Sequence, residues 1–158
     1  MAPIILGEYR IGVGVFLLNK DKKLWVGKRI DFKSNFWQMP QGGIDKNETP
    51  RQAMIRELGE EVGIKKNFEI IDETRNWLNY ELPHELKQKV WNGRFIGQKQ
   101  KWFVCKFLGA DNEIDLKSHK PEFSEWKWIR PRDAIKLVVP FKKKMYENVL
   151  ETFDRYIN

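Results

Sequence analysis

Apolar residues in the first third of the chain follow two rhythms. Ile11, Val13, Val15 and Leu17 alternate with Gly12, Gly14, Phe16 and Leu18, which reads as a strand buried largely on both sides. Asn19-Lys20-Asp21-Lys22 reads as a turn and residues 24–29 as the partner strand, so two strands are expected before the first long helix. From Pro50 the spacing changes to three and four. Met54, Ile55, Leu58 and Val62 fill one arc of a helix, while Glu57, Glu60 and Glu61 span a neighbouring arc of about 100°. Thr49 suits the N-cap, Pro50 the first helical position, Gln52 the third residue of a capping box, and Gly63 a left-handed stop. Ala53 lies on the carboxylate side and is small enough to leave room for an ion and a phosphate; Gln41-Gly42-Gly43 is expected to form a flexible loop whose backbone can approach a ligand. Further strands are expected at 68–72, 101–108 and 125–129. A closing helix is expected at about 142–156, its stripe of Met145, Tyr146, Val149, Leu150 and Phe153 serving the core. Strands interrupted by one helix and closed by another predict α+β or α/β layers.

Three carboxylates on the last turns of a helix are a cost without a cation. Like charges three and four positions apart destabilise a helix by roughly 0.2–0.5 kcal/mol per pair, and the helix C-terminus is already electronegative. A solvated acidic face would be the purely structural explanation. Oxygen donors with no neighbouring His or Cys favour a hard cation, Mg²⁺ with Mn²⁺ as the substitute, sharing its site with substrate phosphates. Such a site can polarise a phosphoryl oxygen and acidify a water, so phosphoanhydride hydrolysis is the chemistry it suits.

The stretch 42–64 resembles the signature of the Nudix hydrolases: Gly, five residues, Glu, seven residues, Arg-Glu, an apolar residue, any residue, Glu-Glu, any residue, Gly, apolar. Gly42, Glu48, Arg56, Glu57, Leu58, Glu60, Glu61, Gly63 and Ile64 meet every fixed position. The resemblance implies a Nudix α/β/α sandwich around a mixed sheet and a divalent-metal pyrophosphohydrolase acting on a nucleoside diphosphate linked to another group. It also implies that Glu57, Glu60 and Glu61 hold metal, that Glu57 is a candidate base with Glu60 beside it, and that Arg56 orients the carboxylates.

At 158 residues, with no internal repeat or low-complexity tract, the chain suits one domain, residues 1–158. The apolar run Pro3-Ile4-Ile5-Leu6 is too short for a signal core or membrane span, so a cytoplasmic protein without membrane association is expected. The single cysteine, Cys105, lies in an expected strand and reads as core filler; His84 and His119 read as solvated surface residues. Lys and Arg number 29 against 22 Asp and Glu, a formal net charge of +7 although the acidic cluster uses several acids. That balance favours polyanions, and phosphate-rich nucleotides or RNA rank before an anionic membrane because no basic amphipathic anchor is present. No DNA-specific binding is expected. A basic surface can also serve solubility alone.

The flanks narrow the resemblance to those Nudix enzymes that act on RNA 5′ ends and on dinucleoside polyphosphates. Its carriers are Tyr9-Arg10, Trp37-Gln38-Met39-Pro40-Gln41-Gly42-Gly43, the run from Thr74 to Pro83, Gly97-Gln98-Lys99-Gln100-Lys101-Trp102-Phe103 and Val139-Pro140-Phe141-Lys142. Tyr80 matches a tyrosine associated with diadenosine polyphosphates, and Glu122 matches a late glutamate that completes the metal site, with Glu125 in competition. Arg10, Arg29, Lys99, Lys101 and Lys142 could neutralise phosphates, and Phe141 could stack a base, with Phe141 and Trp102 equally readable as core. Two departures are visible: residues 31–36 read as longer than the family's loop, and Ile11 replaces a proline after Tyr-Arg. The function expected is removal of pyrophosphate from 5′-triphosphate RNA, the conversion that starts mRNA decay, with dinucleoside polyphosphates as alternative or additional substrates. A dedicated diadenosine polyphosphate hydrolase, a nucleoside-diphosphate-sugar or damaged-nucleotide hydrolase and a non-catalytic RNA-binding module are the alternatives.

Overall fold

A computed structural model of the chain describes residues 8–31 and 35–158. The apolar run at 3–6 and positions 32–34 of the loop before the glycine pair lie outside the described residues. The chain order is β1 (Glu8–Leu18), β2 (Leu24–Arg29), β3 (Trp37–Gln38), β4 (Gln41–Gly43), α1 (Pro50–Val62), β5 (Phe68–Glu73), β6 (Leu78–Glu81), α2 (His84–Lys87), β7 (Phe95–Phe107), β8 (Phe123–Ile129), α3 (Ala134–Leu137) and α4 (Lys143–Thr152). Among the described residues the strands form one mixed sheet with the path β3-β2-β1-β7-β5; β4 also pairs with β1, β6 with β7 and β8 with β2. β1 and β7 run parallel over their whole length, from Tyr9 opposite Gly97 to Leu18 opposite Lys106, and the other pairings are antiparallel.

The two-sided apolar pattern of β1 is realised because both of its faces are covered. Val13, Val15 and Leu17 pack with Ala53, Met54, Leu58 and Val62 of α1 on one side. Phe16 and Leu18 pack with Met145, Tyr146, Val149 and Leu150 of α4 on the other. Helices on opposite faces of one mixed sheet are the α/β/α arrangement that the Nudix resemblance implied. Ile11, at the mouth end, is the one apolar residue of β1 that is exposed, at 51%.

Local chemistry sets the ends of α1. Thr49 Oγ1 accepts from the Gln52 backbone N–H at 3.1 Å and the Gln52 side chain accepts from Thr49 N–H at 2.9 Å, a complete capping box. Gly63 stops the helix at φ 79°, a conformation that costs a residue without Cβ little. The turn after β1 is held by Asn19 Oδ1, which accepts from the backbone N–H groups of Asp21 and Lys23.

Several expectations are corrected. Among the described residues four strands precede α1, because Trp37–Gln38 and Gln41–Gly43 each pair with the sheet; the glycine pair is a short strand against Gly12–Gly14 of β1, and not a flexible loop. Ile55 is 41% exposed while Ala53 is fully buried, so α1 is rotated toward its acidic side as it meets the sheet, and Ala53 fills core space and leaves no gap for an ion. β7 starts six residues before 101, since the polar Gln98 and Gln100 that broke the apolar alternation are themselves fully buried. β6 is a short strand that pattern reading did not single out. β8 begins at Phe123, two residues early, and α4 ends at Thr152, with a 3-10 turn at Pro140–Lys142 before it and another at Asp154–Tyr156 after it. Trp102 and Cys105 are core residues, and burial pushes the Cys105 thiol up to about 12.

Candidate active site

The rotation of α1 draws its carboxylates inward. Glu61 is 5% exposed and accepts from the Gln41 backbone N–H at 3.0 Å, so β4 and the helix meet at this carboxylate. Burial, with the neighbouring Glu57 charge adding to it, holds the Glu61 carboxyl well above the ordinary carboxylate range. Burial also raises Glu57; Arg56 opposes that shift and the Glu60 charge adds to it. The two glycines of β4 make this packing possible. A Cβ on Gly42 would overlap the Glu57 carboxylate, and a Cβ on Gly43 would overlap the Arg10 guanidinium, so an acid and a base lie directly against neighbouring backbone units of one strand.

Arg56 ties the acidic side together. Its Nε and Nη2 donate to the two Glu48 oxygens at 2.8 and 2.9 Å, Nη2 also to the Gly43 carbonyl at 2.8 Å, and Nη1 to Glu57 at 2.7 Å and Glu60 at 3.3 Å. Glu48 is fixed in turn by the Asp45 N–H. Among the described residues no three His, Cys, Asp or Glu side chains stand gathered as a metal-binding set, because Arg56 turns Glu57 and Glu60 toward itself. The donor chemistry nonetheless fits a divalent cation. Burial raises both Glu57 and Glu61, with the Glu60 charge adding at Glu57 and the Glu57 charge at Glu61, and a hard cation on their oxygens would compensate the charged carboxylates.

A cavity of about 430 Å³ opens over this wall and collects most of the residues expected from the sequence: Glu57, Glu60, Glu61, Glu122, Arg10, Arg29, Tyr80, Phe141 and Lys142. Glu125 lies apart and pairs with Lys28 at 3.5 Å, whereas Glu122 faces the cavity with Arg29 at 3.9 Å. Arg29 is also bound to Asp31 through both Nε and Nη2. Lys142 is 3% exposed and donates to the side-chain oxygens of Gln38 and Gln41, each at 3.2 Å, with its ammonium 5.1 Å from the Tyr80 ring centre. Burial, reinforced by the Arg29 charge, lowers it to about 7. Tyr80 and Phe141 lie with ring centres 5.7 Å apart, Tyr80 buried and Phe141 half-buried at the cavity wall.

Lys99 and Lys101 do not join this group. Strand alternation turns Gln98 and Gln100 inward and the two lysines the other way. Lys99 is exposed over the Tyr9 ring. Lys101 Nζ donates to the carbonyls of Thr74 and Arg75 and lines a separate, more open cleft of about 900 Å³ that contains none of the Nudix-signature glutamates. Sequence reasoning missed His119, whose Nε2 stands 3.8 Å from Glu60, and Trp91; both line the cavity. His119 belongs to the same run as Glu122, three residues away, which is the one signal that could have placed it. His84 is exposed on α2.

This fold and this glutamate helix define a Nudix protein: the NUDIX domain family matches residues 8–149, and the chain belongs to that family. Its relatives carry the description "RNA pyrophosphohydrolase". The protein of that description from Pelagibacter ubique is 52% identical over 149 residues, covering 94% of each chain, and the one from Orientia tsutsugamushi is 46% identical over 94% of this chain and 92% of its own. Among solved structures the chain is similar in fold to the E. coli dihydroneopterin triphosphate pyrophosphohydrolase, with a TM-score of 0.70 at 22% identity over 92% and 99% of the two chains. It is also similar to a C. elegans Ap4A hydrolase binary complex, with a TM-score of 0.66 at 21% identity over 92% and 98%. The chain is thus a hydrolase of the Nudix family, a family that works with divalent metal ions. Among the described residues no helix is long and apolar enough to cross a membrane.

Proposed function

We propose that this chain hydrolyses 5′-triphosphorylated RNA to a 5′-monophosphate end and pyrophosphate, and that dinucleoside polyphosphates are additional substrates. The observation that carries the reading is the buried ammonium of Lys142. It stands across the cavity from an acidic helix, bonded to two neutral amide oxygens and flanked by Tyr80 and Phe141. An anionic chain with a base at its end is the ligand that uses both walls. The identity to relatives described as RNA pyrophosphohydrolases points the same way.

Glu57, Glu60, Glu61 and Glu122 would hold the divalent cations, Mg²⁺ with Mn²⁺ as substitute. When bound, such ions neutralise phosphoryl oxygens and lower the pKa of a water. The chain's own residues supply the rest. Arg56 fixes the directions of Glu57 and Glu60 through its contacts to both, and Glu48 and the Gly43 carbonyl fix Arg56. Glu57, with Glu60 beside it, would take the proton of the attacking water, while Lys142, Arg10 and Arg29 would offset charge on the polyphosphate. Phe141 and Tyr80 support the base. Lys99 and Lys101 have no part in this scheme. A cytoplasmic setting accords with an RNA substrate.

Steady-state kcat/KM on triphosphate RNA, diadenosine tetraphosphate and ADP-ribose, measured side by side with Mg²⁺, tests the reading. RNA or the dinucleotide should exceed ADP-ribose by at least about tenfold, and the RNA rate should fall more steeply with salt, since each neutralised single-strand phosphate adds about 0.7 to the log-log slope. Equal slopes, with the dinucleotide preferred, would make the protein a dedicated dinucleoside polyphosphate hydrolase. A preference for ADP-ribose would refute both.

A further inference from the structure

The cavity does not end at Arg10. The Arg10 guanidinium lies between Gly43 and the indole of Trp91, 5.3 Å from the indole centre. The Trp91 ring meets the edge of Phe95 at 5.9 Å, and the Arg94 guanidinium lies 4.9 Å from the centre of the Phe95 ring. Two cation–aromatic pairs therefore follow one another from the cavity mouth outward. The inner pair lines the cavity, and the outer one ends at Arg94, whose side chain is 72% exposed and makes a loose 3.8 Å pairing with a similarly exposed Glu8. The backbone that aims Trp91 is unusual: Trp91 at φ 52° and Asn92 at φ 58° are consecutive non-glycine residues in the left-handed region, closed by bonds from Gly93 N–H to Val90 and from Arg94 N–H to Trp91. A bulky residue rarely adopts that conformation, and residues held so cluster at ligand clamps. A ring for each base beside a cation for each phosphate is the chemistry that single-stranded nucleic acid recognises without regard to sequence.

We propose that Arg10, Trp91, Phe95 and Arg94 form a docking track for the nucleotides that follow the 5′ end of single-stranded RNA. The inference rests on the RNA reading above and adds to it: the phosphoanhydride end enters over α1 while the next one or two nucleotides leave past Trp91. A dinucleoside polyphosphate has no internucleotide phosphate beyond its second nucleoside to pair with Arg94.

The test is kcat/KM of the full chain with Mg²⁺ on 5′-triphosphate oligoribonucleotides of one, two and six residues and on diadenosine tetraphosphate, at several salt concentrations. Wild type should gain with length. Arg94→Ala should leave the mononucleotide and diadenosine tetraphosphate rates unchanged and lower the salt slope on the six-residue RNA by about 0.7. Trp91→Ala should raise KM on that RNA about tenfold, and more than on the mononucleotide. Trp91→Phe, which keeps a stacking face, should recover most of the loss and shows that the fold is intact. Length dependence unchanged in both Trp91→Ala and Arg94→Ala overturns the track. So does an equal loss on every substrate in Trp91→Ala, which would place Trp91 at the first nucleotide or in the fold. A wild type that turns over diadenosine tetraphosphate and no triphosphate RNA of any length overturns the RNA reading itself, and the track with it.

Discussion

Replacing Glu61 by Gln should make the metal-free protein more stable and the metal-loaded protein less so. Glu61 is 5% exposed, accepts one backbone hydrogen bond at 3.0 Å, and faces a second buried carboxylate, so its charge has little compensation without a cation. Gln keeps the shape and the oxygen that Gln41 N–H needs while removing the charge. Relief of an incompletely paired buried charge is worth about 1–3 kcal/mol. For a chain of 158 residues that converts to a rise in Tm of roughly 3–10 °C. Metal acts in the opposite order: a cation at a hundred times its Kd stabilises wild type by about 2.7 kcal/mol, and the variant, lacking one charged ligand, should gain far less. Differential scanning calorimetry in EDTA and in Mg²⁺ at neutral pH reads both effects. The folded state holds the Glu61 proton more tightly than the unfolded chain does. That contribution to stability is therefore full below the ordinary carboxyl value of 4.5 and is lost as pH rises through the raised one. The gap between variant and wild type in EDTA should consequently open from about pH 4.5 toward neutrality. A variant no more stable than wild type in EDTA at neutral pH, with native circular dichroism, would refute the reasoning.

Three other perturbations probe different parts of the site. Gly42→Ala should push the Glu57 carboxylate off its seat and lower kcat at least about tenfold with little change in KM, which steady-state kinetics with a melting control would show. Phe141→Ala should raise KM about 5- to 100-fold, the equivalent of one base stack; unchanged kinetics with lost stability would assign the ring to the core alone. Lys142 is depressed to about 7 and must lose its proton above that value, so kcat/KM on triphosphate substrates should fall on the alkaline side of a pH profile, and Lys142→Met should flatten that limb while lowering the plateau.

What was legible in the chain before its structure is what local chemistry decides. α1 could be placed to the residue because its cap, capping box and left-handed stop are all side-chain or backbone effects within four positions, and the spacing of its glutamates follows from the helix. How deeply that helix sinks is a tertiary matter. Periodicity put Glu61 on an arc beside the packed face and Ile55 in the packed face itself, whereas Glu61 is buried and Ile55 is 41% exposed. Gln98 and Gln100 illustrate the same limit in a strand: two buried amides interrupt an apolar pattern, so β7 looked half its length, and Lys99 and Lys101, which alternate with them, were credited to a cavity from which strand alternation turns them. Trp91 carries no local signal; its place at the rim depends on the path of the backbone between β6 and β7.

The cations predicted to neutralise phosphate separate into two kinds once their partners are known. Arg29 is already engaged by Asp31 at two hydrogen bonds and approaches Glu122, so its charge largely balances acids at the mouth. The hydrogen bonds of Lys142 go instead to two amide oxygens, and a ring lies beneath its ammonium, none of which carries a compensating negative charge. A cation left that way is costly to bury, and the cost appears as its lowered proton affinity. An incoming phosphate would raise that affinity and recover the cost on binding, while a neutral ligand would not. The same logic holds on the facing wall with the sign reversed, where Glu57 and Glu61 await a cation. A metal–polyphosphate complex satisfies both walls together, whereas metal alone or polyphosphate alone leaves one of them uncompensated. Binding of the two should therefore be cooperative, each tightening the other by the same factor.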